Sequence, residues 1–282
     1  MSISAQAVKE LREKTSAGMM DCKKALEESG GDMEKAVDWL RQKGLSKAAK
    51  KSGRATSEGL IGCHVATDGK HAVLLEIRCE TDFVSRGDKF RNVVQTCTRD
   101  FFASGLDTPD AGAFEAKLTD AIVTLGENIT LGQAARMKLD GSGILGSYVH
   151  SNGKIAVLVQ LCCGKDATAS AHPFAELARN LAMQIAAASP LAVSSADLDP
   201  ALIEREREVY RQKAREEGKA DTIIDKIADG AVKKYFKEVC LLEQPYIRDD
   251  KLTVANLIEQ VGKELGDALS VKGFTRIQLG AE

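Results

Sequence analysis

Residues Gly59–Cys79 (GLIGCHVATDGKHAVLLEIRC) align without a gap to Gly143–Cys163 (GILGSYVHSNGKIAVLVQLCC), an offset of 84, with 9 identities in 21 positions. Self-similarity of this kind constrains the fold more than any local propensity, because one supersecondary unit must be built twice. Each copy carries a two-residue turn signal, Asp68-Gly69 or Asn152-Gly153, between β-rich runs. Each therefore reads as a β-hairpin. The match resumes downstream, where Phe90, Val93, Cys97 and Phe101 correspond to Phe174, Leu177, Leu181 and Ile185. These are helical spacings, capped by Asp88 in one copy and started by Pro173 in the other. The expectation is an α+β fold with two repeated core subdomains, 59–140 and 141–282, each an antiparallel hairpin with helices on one face.

A chain of 282 residues leaves room for more. Residues 1–45 hold three short helical patterns: Val8 and Leu11 behind a Ser4 cap, then Met19, Cys22, Ala25 and Leu26. After Gly30-Gly31 come Met33, Ala36, Val37 and Leu40, capped by Asp32 and ended by Gly44. Such a three-helix module buries little surface and needs something to dock on. Residues 1–54 carry 12 Lys+Arg against 8 Asp+Glu, and Lys47, Lys50, Lys51 and Arg54 make 46–58 a solvated basic linker. A helix spans Ala111–Leu125, with Phe114, Leu118, Ile122 and Leu125 on one face, and leads into an extended Asn128–Leu131. Residues of about 200–238 contain two charged helices, Leu202–Gly218 and one bearing Ile223, Ile227, Ala231 and Tyr235 as its seam. They read as an inserted antiparallel coiled-coil hairpin or as two ordinary surface helices. The tail reads as an extended Val239–Tyr246, a helix Thr253–Lys263, and a strand Gly273–Leu279 that completes the second sheet.

Charge is balanced, net −2, with 44% hydrophobic and 28% charged residues, which excludes a disordered chain and a strongly basic nucleic-acid binder. No apolar run approaches the length of a membrane span, and the charged, helical start is unlike a signal peptide, so a cytoplasmic protein is expected. Seven scattered cysteines without a C-x-x-C pair read as reduced and mostly buried. His64 and His71 could face each other beside Cys63, but the spacing is not that of a zinc site. Gly141–Gly146 matches G-x-G-x-x-G, yet the glycines lead into a hairpin rather than a helix, which removes the mechanism of dinucleotide binding. No metal, cofactor or covalent catalysis is expected, and Glu80 and Asp82 read as surface acids.

Some apolar residues stand where a core does not ask for them. Met19 and Met20 are about 100° apart on a helix, so at least one is exposed, as thioethers often are at protein-binding surfaces. Thr81-Asp82-Phe83-Val84 follows the second strand of the first hairpin. Phe83 could tuck under the next helix, but the repeat has Ala167 at that place, so the shared fold does not demand a phenylalanine there. An exposed wedge is the better reading. His150 likewise has no counterpart, since Ala66 occupies its matching place in the repeat, and it could be partner contact or plain hairpin surface.

Lys9–Thr15 (KELREKT) with Ala17–Leu26 (AGMMDCKKAL) resembles the N-terminal signature of the translation elongation factor Ts family, and Cys79–Val84 (CETDFV) resembles its second signature. Further similarity lies in Gly126-Glu127-Asn128, Gly146–His150 (GSYVH), Gln244-Pro245 and Gly273–Arg276, and covers essentially the whole chain. The resemblance implies a guanine-nucleotide exchange factor for elongation factor Tu, with a ubiquitin-associated-like N-terminal module. It implies that Thr81, Asp82, Phe83 and Val84 disturb the partner's magnesium site, and that Arg12, Met19, Met20, Leu125, Gly126 and His150 are further contacts. It implies no direct nucleic acid or membrane contact, and a possible higher-order complex through the coiled coil or core. Two departures are Ser16, where the family usually has glycine, and an end at Glu282, where longer members continue with a helical segment. The alternative is a ubiquitin-associated-type adaptor without exchange activity; a dinucleotide oxidoreductase is a distant third.

Overall fold

Val73, Leu75, Ile77 and Cys79 alternate with Ala72, Leu74 and Glu76, so one strand sends two sets of side chains to opposite faces, and all seven are buried. A computed structural model describes residues 3–15 and 17–281; Ser16 and Glu282 lie outside the described residues. Strand β2 (His71–Cys79) is the centre of an antiparallel sheet ordered β1-β2-β3, with β1 at Glu58–Val65 and β3 at Thr130–Lys138. The second sheet repeats this as β4 (Gly143–Val149), β5 (Ile155–Cys163) and β8 (Leu269–Gln278), in the order β4-β5-β8. Registers agree across the repeat: Gly59 pairs with Arg78, and Gly143 with Cys162.

The outer face of the first sheet packs on α5 (Asp88–Ser104) and α6 (Ala111–Leu125) through Phe90, Val94, Cys97, Phe101, Phe114 and Ile122. Val94 rather than Val93 is the buried member of that stripe, and Gly87 rather than Asp88 is the N-cap. The second sheet packs on α8 (His172–Ala188) and α11 (Val254–Leu265) through Phe174, Leu177, Leu181, Ile185 and Ile258. The inner faces share one core, Ile61, Leu74 and Leu139 with Leu145, Leu158 and Ile277. The result is four layers, helices, sheet, sheet, helices.

The two halves grip each other reciprocally. Ile61 N–H donates to the Gly153 carbonyl at 2.8 Å and Leu145 N–H to the Gly69 carbonyl at 2.9 Å, so each hairpin turn sits on the first strand of the other copy. Buried Glu76 adds a clamp: it accepts from Arg78 Nε (2.7 Å), Gln133 N–H (2.7 Å) and Gly280 N–H (3.0 Å), tying β3 to the residues after β8. The motif glycines serve packing: a Cβ on Gly146 would lie 2.5 Å from the Ala178 carbonyl oxygen of α8.

Helices α1 (Ala5–Thr15), α2 (Met19–Glu28) and α3 (Met33–Lys51) share a small core of Val8, Leu11, Cys22, Ala25, Leu26 and Ala36. Contrary to expectation, Gly44 does not end the third helix. It lets α3 lie against α6, where a Cβ would come within 3.0 Å of Val123, and this packing offsets the roughly 1 kcal/mol helical cost of glycine. The basic run beyond it is docked in part: Lys51 donates to the Gly126 carbonyl, and Asn128 Nδ2 donates to the carbonyls of Arg54 (2.8 Å) and Ser52 (3.4 Å), while Lys50 is exposed.

In the second copy, α9 (Pro200–Glu216) and α10 (Asp221–Val239) pack antiparallel, pinned by Arg207–Asp229 (3.1 Å) and Arg211–Asp225 (2.8 Å). The seam is one residue off the expected one. Ile224, Ala228 and Val232 are buried with Ala214, while Ile223 and Ile227 are exposed, because α10 carries two adjacent apolar stripes and only one can face α9. After Val239 the chain makes a single 3-10 turn, Leu241–Glu243, and a short strand β6 (Pro245–Tyr246) that pairs with β7 (Asp249–Thr253), instead of one extended segment.

Gly146→Ala forces α8 off its sheet and should cost about 3 kcal/mol in chemical denaturation. Gly230→Ala, in a helix with nothing within 4 Å of the new methyl, should instead gain about 0.5–1 kcal/mol. Equal effects would contradict the packing role of Gly146.

Candidate partner-binding surface

Strand β2 ends at Cys79 and the chain turns at once into α4 (Asp82–Ser85), capped by Thr81, whose hydroxyl accepts from Val84 N–H at 3.5 Å. Ser85 is buried and Val84 packs against the core of the first sheet, which directs Phe83 outward. Phe83 is 88% exposed. Leaving such a ring in water forgoes about 2 kcal/mol of burial, a cost the fold does not require. The matching short helix of the second copy, α7 (Asp166–Ala169), carries Ala167 there. Asp82 is half-exposed and pairs with Arg86 at 2.9 Å.

The turn before α4 rests on the corner between α6 and β3. Glu127 accepts from Glu80 N–H (3.0 Å), Thr81 N–H (2.9 Å) and the Thr81 hydroxyl (2.5 Å). Glu80 in turn accepts from Asn128 N–H (2.6 Å) and from Arg54 (3.4 Å). Leu125 is half-buried and Gly126, with φ of 82°, is exposed at the end of α6, so both sit beside the wedge's support. His150 is exposed in the β4–β5 turn, its Nδ1 3.0 Å from Asn152 Oδ1. That turn lies on β1, through Gly153 on Ile61 and Lys154 on Glu58 (2.6 Å), and Glu58 pairs with Cys79. The structure thus gathers Thr81–Val84, Leu125 and Gly126 around one end of the first sheet, and lays the turn that carries His150 on β1 of the same sheet.

Arg12, Met19 and Met20 are elsewhere, on α1 and α2. All three are exposed, Met20 to 74%. The end of α3 and the residues after it link them to the first patch, Lys51 reaching Gly126, Arg54 reaching Glu80, and the Ser52 and Arg54 carbonyls reaching Asn128. Sequence reasoning missed Glu127 and Asn128 as supports and took Glu80 for a surface acid. A signal existed: Leu125-Gly126-Glu127 matches Leu265-Gly266-Asp267 at an offset of 140, and Arg136 matches Arg276. The jump from 84 to 140 marks a 56-residue insertion that contains α9 and α10.

The thiols of Cys79 and Cys97 are not poised for chemistry. Burial pushes Cys97 up to about 11 and Cys79 up to about 12, where Glu127 adds to the effect. Among the described residues no group of three or more His, Cys, Asp or Glu could hold a metal ion, and no helix is long and apolar enough to cross a membrane. The surface offers an exposed aromatic ring on a hydrogen-bonded turn.

Residues 80–281 match the profile of the family described as Elongation factor TS. Among curated proteins, Elongation factor Ts of Nitratidesulfovibrio vulgaris (strain DP4) is 62% identical over 282 residues, covering 100% of this chain and 97% of that protein. The Lawsonia intracellularis protein of the same name is 57% identical over 294 residues, covering 100% of both. That of Clostridium perfringens (strain 13 / Type A) is 43% identical over 289 residues, covering 99% of this chain and 93% of its own.

Two measurements check the surface. Phe83→Ala and Asp82→Ala should leave stability in urea within about 0.5 kcal/mol of wild type, since both side chains face water; a large loss from Phe83→Ala would return that ring to the core. The Glu80 carboxyl is held below its ordinary value, chiefly by Asn128 N–H and, against some desolvation, by Arg54 and Lys51. A lowered folded pKa contributes stability above the unfolded value of about 4.3 that is lost as pH falls through the folded one. Glu80→Gln should therefore flatten the loss of stability on acidification below that pH, and an unchanged slope would contradict the assignment.

Proposed function

The chain belongs to the elongation factor Ts family, and from that premise we propose that it is a guanine-nucleotide exchange factor that binds elongation factor Tu·GDP and loosens the nucleotide. It is a translation elongation factor; the exchange step is our reading of its surface. The observation that carries it is Phe83, an aromatic ring held in water on a rigid four-residue helix and absent from the other copy of the repeat.

In this reading α1–α3 form a ubiquitin-associated-like module that docks on the partner's GTPase domain through Arg12, Met19 and Met20. The wedge then enters between partner helices near the magnesium and phosphate site, with Asp82 opposing the anionic side of that site. Leu125, Gly126 and His150 complete the contact. No bond is made or broken, so the protein is not an enzyme in the covalent sense. Exchange is coupling: whatever the factor costs nucleotide affinity, nucleotide costs the factor by the same ratio. A coupling of about 5.5 kcal/mol would change that affinity roughly 10⁴-fold. Burial of Phe83 supplies about 2 kcal/mol of it, and the remainder comes from displaced magnesium contacts and the other patch. GTP then displaces the factor. Helices α9 and α10 are read as a coiled-coil hairpin offering a further surface for a higher-order complex, and the site of action as the cytoplasm.

Stopped-flow release of a fluorescent GDP from elongation factor Tu tests the reading. Wild type should accelerate release, and Phe83→Ala should lose about tenfold or more, as removal of a central aromatic anchor does. Binding without acceleration by wild type would favour the adaptor instead, for which exposed Met19 and Met20 would suffice.

A further inference from the structure

Taking exchange by the Phe83 wedge as the activity, we infer that Glu80 and Asn128 are positioning residues that fix the wedge relative to the N-terminal helices. The repeat supplies an internal comparison. In the second copy the turn is Gly164-Lys165, and Asp267 accepts from Gly164 N–H (3.1 Å) and Lys165 N–H (3.0 Å) as Glu127 does from Glu80 and Thr81. A carboxylate beneath the turn is therefore a requirement of the fold. The second tier is not: Gly164 stands for Glu80 and Ala268 for Asn128, in the same copy that has Ala167 for Phe83. Side chains that tie the turn outward accompany the aromatic ring.

Three segments meet at this joint. Glu80 Oε1 accepts from Asn128 N–H at 2.6 Å, and both Glu80 oxygens lie 3.4 Å from an Arg54 guanidinium nitrogen. Asn128, only 3% exposed, turns its amide the other way, onto the Arg54 carbonyl at 2.8 Å and that of Ser52 at 3.4 Å. Ser52 and Arg54 directly follow α3, the last helix of the unit bearing Arg12, Met19 and Met20. The joint thus makes one rigid body of two contact patches that are far apart in sequence. Rigidity matters because, once the first patch has docked, insertion of the second is intramolecular, and its rate depends on orientation. The second copy forms its turn on Asp267 without these side chains, so the turn itself should survive the loss of the Glu80 carboxylate.

The test is the rate of GDP release from elongation factor Tu as a function of factor concentration, for Glu80→Ala and Glu80→Gln, each with Phe83 and with Phe83→Ala. The plateau reports wedge insertion in the docked complex; the half-saturating concentration reports docking and the fraction of folded factor. Glu80→Ala should lower the plateau about five- to tenfold, the scale of losing a partly buried charge-assisted hydrogen bond, with the half-saturating concentration within about twofold of wild type. In the Phe83→Ala background it should lower the plateau no further, since a residue acting through Phe83 has nothing left to position. Glu80→Gln, which keeps an acceptor for the Asn128 backbone N–H, should recover most of the loss. A wild-type plateau with a raised half-saturating concentration would mean a merely structural role and overturn the inference, as would equal losses in both backgrounds. A Phe83→Ala plateau equal to wild type would instead overturn the wedge reading on which this rests.

Discussion

Two backbone hydrogen bonds, from Ile61 to Gly153 and from Leu145 to Gly69, hold each hairpin turn on the first strand of the other copy. Both donors and both acceptors are 84 residues apart, so the contact is one patch used twice, with the self-complementarity of an isologous dimer interface inside a single chain. The positions of the helices follow from it. With inner faces joined through Leu74, Leu145 and Leu158, the outer faces are left for α5 and α6 on one side and α8 and α11 on the other. The two hairpin turns are thereby each placed against a strand of the other copy. The turn that carries His150 reaches the strand beside the Phe83 wedge only because the halves meet this way.

Symmetry of the scaffold makes its departures informative. Phe83, Glu80 and Asn128 occur in one copy and Ala167, Gly164 and Ala268 in the other, while Glu127 and Asp267 occupy the same structural place in both. The second copy has spent its freedom differently, accepting a 56-residue insertion that holds α9 and α10. The repeat thus leaves an exposed aromatic ring on one half and an inserted helical arm on the other, while both halves contribute to the same inter-sheet core.

Much of this was legible in the chain because hairpin turns and apolar alternation are local signals. The offset of 84 located both hairpins, and the absence of a counterpart for Phe83 pointed to its exposure. What stayed hidden was decided by tertiary contact. Gly44 reads as a stop, but α6 accepts it as a packing surface, so α3 continues to Lys51. The seam of α10 could be either of two stripes until α9 selected Ile224, Ala228 and Val232. Glu80 looks like any surface acid; its partners Arg54 and Asn128 lie 26 and 48 residues away, beyond the reach of any periodicity. Such long-range polar pairs leave no pattern in a single sequence, whereas the Leu-Gly-acid corner at offset 140 was there to be found.

Exchange by this wedge requires that Phe83 be buried in the nucleotide-free complex and be driven out when nucleotide rebinds. Residue 83 can report this directly as 5-fluorotryptophan in a Trp39→Phe, Phe83→Trp chain, since Trp39 is the single native tryptophan. The account predicts that its ¹⁹F resonance shifts and broadens on mixing with nucleotide-free elongation factor Tu, and returns to the free position when GDP is added. A resonance that stays at its solvent-exposed position in a complex shown to form by mass would contradict it.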